Sequence, residues 1–256
     1  MSLKLNKLTD AAIQEDVANN RERVAKFQSA EPSSPVRSDP VRYSRRLSDA
    51  ALELGLELYQ QEGDVSEIRR SLATAGKELF AVLALDQENA VLTSLEFERA
   101  LALAVCFWPH PPYADVAGLP MTKFFPDAES LAFYAVLARY LDLLRRFLNS
   151  AQLENDAWDK VAAECTRGNA SRYDAQVTRA KLNALKALAT GDGALLNGSI
   201  ATLIDVHENE AKRGENQRSS RGFVCLPALM FAQLGASRDL PCTLKSPYLP
   251  LILLQP

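Results

Sequence analysis

The chain has only two histidines, at positions 110 and 207, and that scarcity sets the first limit on its chemistry. Most acid–base and nucleophile-activating arrangements place an imidazole beside the reacting group. His207-Glu208-Asn209-Glu210 begins like the zinc-hydrolase motif H-E-x-x-H, but Ala211 stands where the second histidine belongs. Neither histidine has an arginine four to six residues before it, which removes the Arg-x(4–6)-His arrangement of a helical ribonuclease. Phosphate-cradling glycine loops are missing as well. The nearest approach, Gly191-Asp-Gly193, has no strand before it.

Other absences narrow the class further. The four cysteines, Cys106, Cys165, Cys225 and Cys242, lie far apart without a C-x-x-C pair, and three have apolar neighbours. Buried reduced thiols are expected, not a disulfide framework or structural zinc. With 29 basic against 32 acidic residues there is no extended positive field for a phosphate backbone, so nucleic acid is not the expected partner. The longest uninterrupted apolar run, Ala100 to Trp108, falls far short of the ~20 residues that cross a bilayer as a helix. The amino terminus, Met1-Ser-Leu-Lys-Leu-Asn-Lys-Leu, lacks the apolar core of a secretory signal, so a cytoplasmic location is expected. No enzyme, cofactor or metal site is expected from this inventory.

What is abundant is leucine and alanine, while aromatics make up 7% and the 11 glycines sit mostly at segment boundaries. That balance favours helices over sheets. Thr9 to Phe27 is polar with a thin stripe of Ala11, Ile13, Val17, Val24 and Phe27, a peripheral helix. Residues 29 to 40 hold three prolines and no period, a loop or mobile connector. Residues 1–40 therefore form a peripheral helix and connector, and 41–256 the main helical domain.

From Tyr43, Leu47, Ala51, Leu54 and Leu58 mark an amphipathic helix stopped at Gly63. Asp64 with Glu67 reads as a carboxylate capping box for the next helix, through Ile68, Leu72, Ala75, Leu79 and Leu83. Thr93-Ser-Leu-Glu96 is a second box, opening a helix that is apolar around most of its circumference and therefore central. Pro109 to Pro126 carries five prolines, and such long connections are either functional or pinned by their own aromatics. Further helices follow: one capped by Asp127 and running through Leu131, Tyr134, Ala138, Leu141, Leu144 and Leu148; one around Trp158; one ending at Gly191; and one over Leu195 to Ala211. The fold class is all-α, a single non-repeating bundle of helical hairpins with a proline-rich central loop and an extended C-terminal tail.

Two exposed regions stand out as binding candidates. Asp205, Glu208 and Glu210, with Glu215 beyond, form the densest acidic patch, and Asp205 and Glu208 share a helix face. The proline loop offers His110 and Tyr113. Arg37, Arg42, Arg45 and Arg46 are interrupted by Asp39 and Asp49 and read as a solvated or salt-bridged face.

The terminal stretch is the most distinctive. Gly222-Phe-Val-Cys-Leu-Pro-Ala-Leu-Met-Phe-Ala-Gln-Leu-Gly235 and Ser246-Pro-Tyr-Leu-Pro250-Leu-Ile-Leu-Leu254, with a further match from Tyr43 to Trp108 around Leu95-Glu-Phe-Glu-Arg-Ala100, resemble the immunity protein 49 family of bacterial polymorphic toxin systems. The resemblance implies a helical cytoplasmic antitoxin that binds a cognate protein toxin stoichiometrically, with no catalytic residues to carry over. The matching residues look architectural: Pro227 suits a first helical turn, Gly235 a left-handed cap, and Pro247 and Pro250 an extended path for Tyr248 and Leu249. Toxin contacts are then expected at Asp205, Glu208, Glu210, Glu215, His110 and Tyr113. The alternative is a helical scaffold or regulatory module with a non-toxin partner.

Overall fold

The computed structural model describes residues 5–31, 33–85, 93–110, 113, 135–149, 156–164 and 172–254. Among these residues there are nine α-helices and no strand. They are α1 (Asp10–Ser29), α2 (Pro40–Gln60), α3 (Val65–Ala84), α4 (Ser94–Phe107), α5 (Ala135–Leu148), α6 (Ala157–Glu164), α7 (Arg172–Thr190), α8 (Gly193–Arg213) and α9 (Leu226–Ala236). The fold is all-α, as expected. The Asp127 cap, Leu131, Tyr134, Cys165 and most of the proline loop lie outside the described residues.

Each of α1 to α4 packs on the next, and α7 and α8 form a hairpin. The centre is α4 with α9. Helix α4 buries Phe97, Ala100, Leu101, Leu103, Ala104 and Phe107, and α9 buries Ala228 through Ala232. A helix apolar around most of its circumference must be covered on most sides, and α4 touches α3, α5 and α9. The polar α1 contributes Ile13 and Val17 to the same core, and Leu5 ahead of it is buried too. Connector residues 35–37 form a 3-10 turn, and Tyr43 anchors it by stacking against Phe27 and lying under the Arg37 guanidinium.

The helix starts follow their capping chemistry, with corrections of detail. Thr93 and Glu96 make the reciprocal capping box. At α3 only half of a box forms: Asp64 accepts from the Glu67 N–H, but the Glu67 carboxylate turns outward to take two hydrogen bonds of 2.8 Å from Arg21 on α1. A bidentate arginine outcompetes a single backbone donor. Helix α8 starts two residues earlier than its apolar pattern, because Asp192 caps it. At the end of α2 the left-handed residue is Glu62, with φ 56°, rather than Gly63. Gly191, with φ 72°, does end α7 in the left-handed region.

Gly235 is not a cap. It lies inside α9, where an added Cβ would sit 2.6 Å from the Leu240 carbonyl oxygen and 2.7 Å from Leu196, so its role is close approach. That contact folds the tail back along the bundle. Cys225 N–H donates to the Tyr248 carbonyl at 2.9 Å, and the Tyr248 hydroxyl donates to the Leu5 carbonyl at 2.8 Å. Lys245 and Pro247 are exposed while Tyr248 and Leu249 enter the core.

A buried polar group ties the centre together. Glu98 on α4 and Lys181 on α7 are only 5% and 6% exposed and meet at 2.7 Å. The Tyr140 hydroxyl of α5 donates to the same carboxylate at 2.9 Å, and the ammonium lies 5.4 Å from the Tyr140 ring centre. Burial beside this carboxylate pushes the Tyr140 phenol well above its ordinary pKa. Breaking one side of such a pair costs more than replacing all of it. Lys181→Met should therefore lower unfolding free energy by about 3–5 kcal/mol in urea titration, whereas the triple change Glu98→Leu, Tyr140→Phe, Lys181→Met should recover most of that loss. A triple variant as unstable as the single one would contradict this account.

Candidate functional site

Asp205, Glu208, Glu210 and Glu215 line the C-terminal half of α8 and the turn after it. Asp205 and Glu215 are exposed, but the other two carboxylates are engaged. Glu208 pairs with Lys212 one turn on. Glu210 is half-buried, accepts the Glu215 N–H at 3.1 Å and so secures the 3-10 turn Glu215–Arg218. The patch is therefore a mixed-charge edge, with Lys212 and Arg213 in the last turn of α8. His207, beside it, faces inward. Its Nε2 lies 3.2 Å from the Gly222 carbonyl and its ring packs edge-on to Tyr248. Burial pulls its pKa down to about 4, so it stays neutral near pH 7.

His110 is exposed and Tyr113 half-buried. Asn149 at the end of α5 donates to the Tyr113 carbonyl at 2.9 Å, and burial drives the Tyr113 phenol well above its ordinary range. These two residues and the acidic edge are held by different elements. Cys106 and Cys225 are buried free thiols, and Cys242 is free and half-buried. Desolvation pushes Cys225 up to about 12, leaving it protonated and unreactive. Among the described residues no group of three or more His, Cys, Asp or Glu side chains could hold a metal ion, and no helix is long and apolar enough to cross a membrane.

A polar cleft elsewhere was not anticipated. A cleft of about 700 Å³ opens between α1, α2 and the 3-10 turns 215–222. Its floor is Glu57, 4% exposed, with one carboxylate oxygen accepting from Asn20 Nδ2 at 3.1 Å. Asn20 is fixed in turn by Arg23, whose Nη1 donates to Asn20 Oδ1 at 2.7 Å and to Glu53 at 3.3 Å. Arg23 thus spends its charge on the rim. Among the described residues the Glu57 carboxylate has no ion-pair partner and no hydrogen bond beyond that from Asn20. Desolvation, with Asp16 and Glu53 adding repulsion, raises its pKa to about 7 against the opposing help of Asn20 and Arg23. The signal was present in the pattern: Glu57 stands between Leu54 and Leu58 on the buried side of α2.

The family described as Immunity protein 49 matches the chain over residues 65–253, well over half of its length. No curated protein and no solved structure matches the chain.

The Glu57 shift makes a stability prediction. With a folded pKa of about 7 against an ordinary 4.5, the native state holds this proton more tightly than the unfolded chain between those values. Stability therefore falls as pH rises through that window, and the whole penalty persists above it. Glu57→Gln should raise the Tm above wild type by about 2 °C or more at pH 8, with the gap closing near pH 5. An equal gap at both pH values would contradict the burial argument.

Proposed function

The chain belongs to the immunity protein 49 family, and we propose that it acts in the cytoplasm as the stoichiometric inhibitor of a cognate protein toxin delivered by competing bacteria. Family membership over residues 65–253 is the observation that carries this reading. The physical character of the surface agrees with it. Glu98 and Lys181 satisfy one another inside the core, while Glu57 borders the cleft without an ion-pair partner among the described residues and Asp205 and Glu215 are exposed at the end of α8. Such edges suit recognition, where charge complementarity sets partner choice and on-rate.

The toxin contact surface we propose is the edge of Asp205, Glu208, Glu210 and Glu215, with the loop of His110 and Tyr113 as a second contact. Glu210 has a double duty, since its carboxylate also secures the following turn. Asp205 and Glu208 are the cleaner probes. An inhibitor of this kind needs no reacting group of its own, and its scaffold does not encode the chemistry of the toxin it blocks.

Co-expression with the toxin encoded beside this gene should restore growth, and the two proteins should elute as one complex of fixed stoichiometry in size exclusion with light scattering. Continued killing with no complex would sink the reading, and recovery of a different stable partner would favour a regulatory scaffold. Reversing Asp205 and Glu208 to lysine should weaken the complex about tenfold or more, mainly through the association rate, with the circular dichroism spectrum unchanged. Unaltered affinity would remove this edge from the interface.

A further inference from the structure

We propose that the cleft between α1 and α2 receives a basic side chain, arginine or lysine, projecting from the toxin, and that Glu57 on its floor is the carboxylate that meets it. This rests on the toxin-inhibitor reading and gives it a specific receptor. Three observations carry it.

The first is the state of Glu57 itself. A carboxylate 4% exposed and without an ion-pair partner among the described residues is an expensive thing to bury, and nothing in the core needs it there. The contrast is Glu98, equally buried but fully matched by Lys181 and Tyr140. Glu57 borders a cleft of about 700 Å³, and a cation arriving through that opening would supply the missing charge.

The second is the setting. The charged groups that face Glu57 are Asp16 and Arg23 from α1 and Glu53 from α2, with Arg218 on the opposite wall and Glu22 and Lys26 at the mouth. Arg23 is already committed to Asn20 and Glu53. An anionic guest would confront Glu57 on the floor with Asp16 and Glu53 beside it. A basic side chain meets carboxylates there instead, and its aliphatic stem can lie along Leu8.

The third is position. Both helical walls come from residues before 65, outside the region matched by the family, while the third wall is the turn secured by Glu210 at the end of the acidic edge. A partner docked on that edge has the cleft directly beside it. Discrimination among related toxins calls for a few desolvated anchors, and a buried carboxylate awaiting its cation is one.

The test is the affinity of the full chain for its toxin by isothermal titration calorimetry, at pH 8 and pH 6, with wild type, Glu57→Gln and Asp16→Asn. Cation binding requires ionised Glu57, so wild-type Kd should rise about tenfold from pH 8 to pH 6. Glu57→Gln should weaken binding at least tenfold at pH 8 and flatten that pH dependence, while Asp16→Asn should cost a smaller factor and keep it. Glu57→Gln binding like wild type at both pH values would overturn the proposal and leave the inhibitor reading intact. If Glu57→Gln does not fold, wild-type affinity that is flat between the two pH values overturns it equally. A wild-type chain that binds no toxin fails the inhibitor reading, and this inference falls with it.

Discussion

Glu98 and Lys181 meet 2.7 Å apart in the middle of the protein, and the arrangement of the helices depends on that meeting. The pair joins α4 to α7, and the Tyr140 hydroxyl brings in α5 at the same carboxylate. Apolar packing alone tolerates sliding of one leucine stripe along another, because its gain depends on area rather than on register. A buried ion pair does not, since a shift of one residue leaves two desolvated charges without partners. With α4 fixed, α9 has a defined bed, and the tail can fold back until Tyr248 reaches Leu5. The two ends of the described chain are thereby held on one side of the bundle. The turn that passes between them is anchored to the amino-terminal segment by hydrogen bonds from Asn6 to Ser219 and from the Lys7 N–H to Gln217.

The same physics separates the groups that hold the fold from those available for recognition. Glu98 is buried and matched, and His207 is half-buried, neutral and hydrogen-bonded to Gly222. Glu57 is buried and unmatched, with a pKa near 7 that expresses the mismatch. Asp205 and Glu215 are exposed and therefore inexpensive to keep, and they contribute a local field more than stability. A protein assembled this way has a matched interior and places its charge differences at α1, α2 and the end of α8.

Much of this was legible in the sequence. Leu47, Ala51, Leu54 and Leu58 marked α2, the Thr93–Glu96 box marked the start of α4, and the unbroken run Ala100 to Trp108 marked α4 as central. Errors arose where a residue had two physically reasonable uses and a distant partner chose between them. Glu67 had the spacing to close a capping box but found Arg21, 46 positions away. Gly235 looked like a helix end, yet the approach of Leu240 and Leu196 requires its missing side chain. The acidic patch was visible as composition, but its internal pairing was not, since Glu208 with Lys212 and Glu210 with the Glu215 N–H are conformational outcomes. Glu57, Glu98 and Lys181 carried a weaker signal: a charge within a buried stripe must find a partner or a cleft. Which of the two it finds depends on which helix lies opposite.

The central claim is that a rigid helical interior presents its binding groups at the edge made by α1, α2 and the end of α8. Hydrogen–deuterium exchange of the chain with and without the toxin proposed as its partner tests this directly. The account predicts new protection in α1 and in residues 205–222, with α4 and α9 already slow to exchange and unchanged by binding. Protection gained in α4 or α9, with none at α1 or residues 205–222, would contradict it.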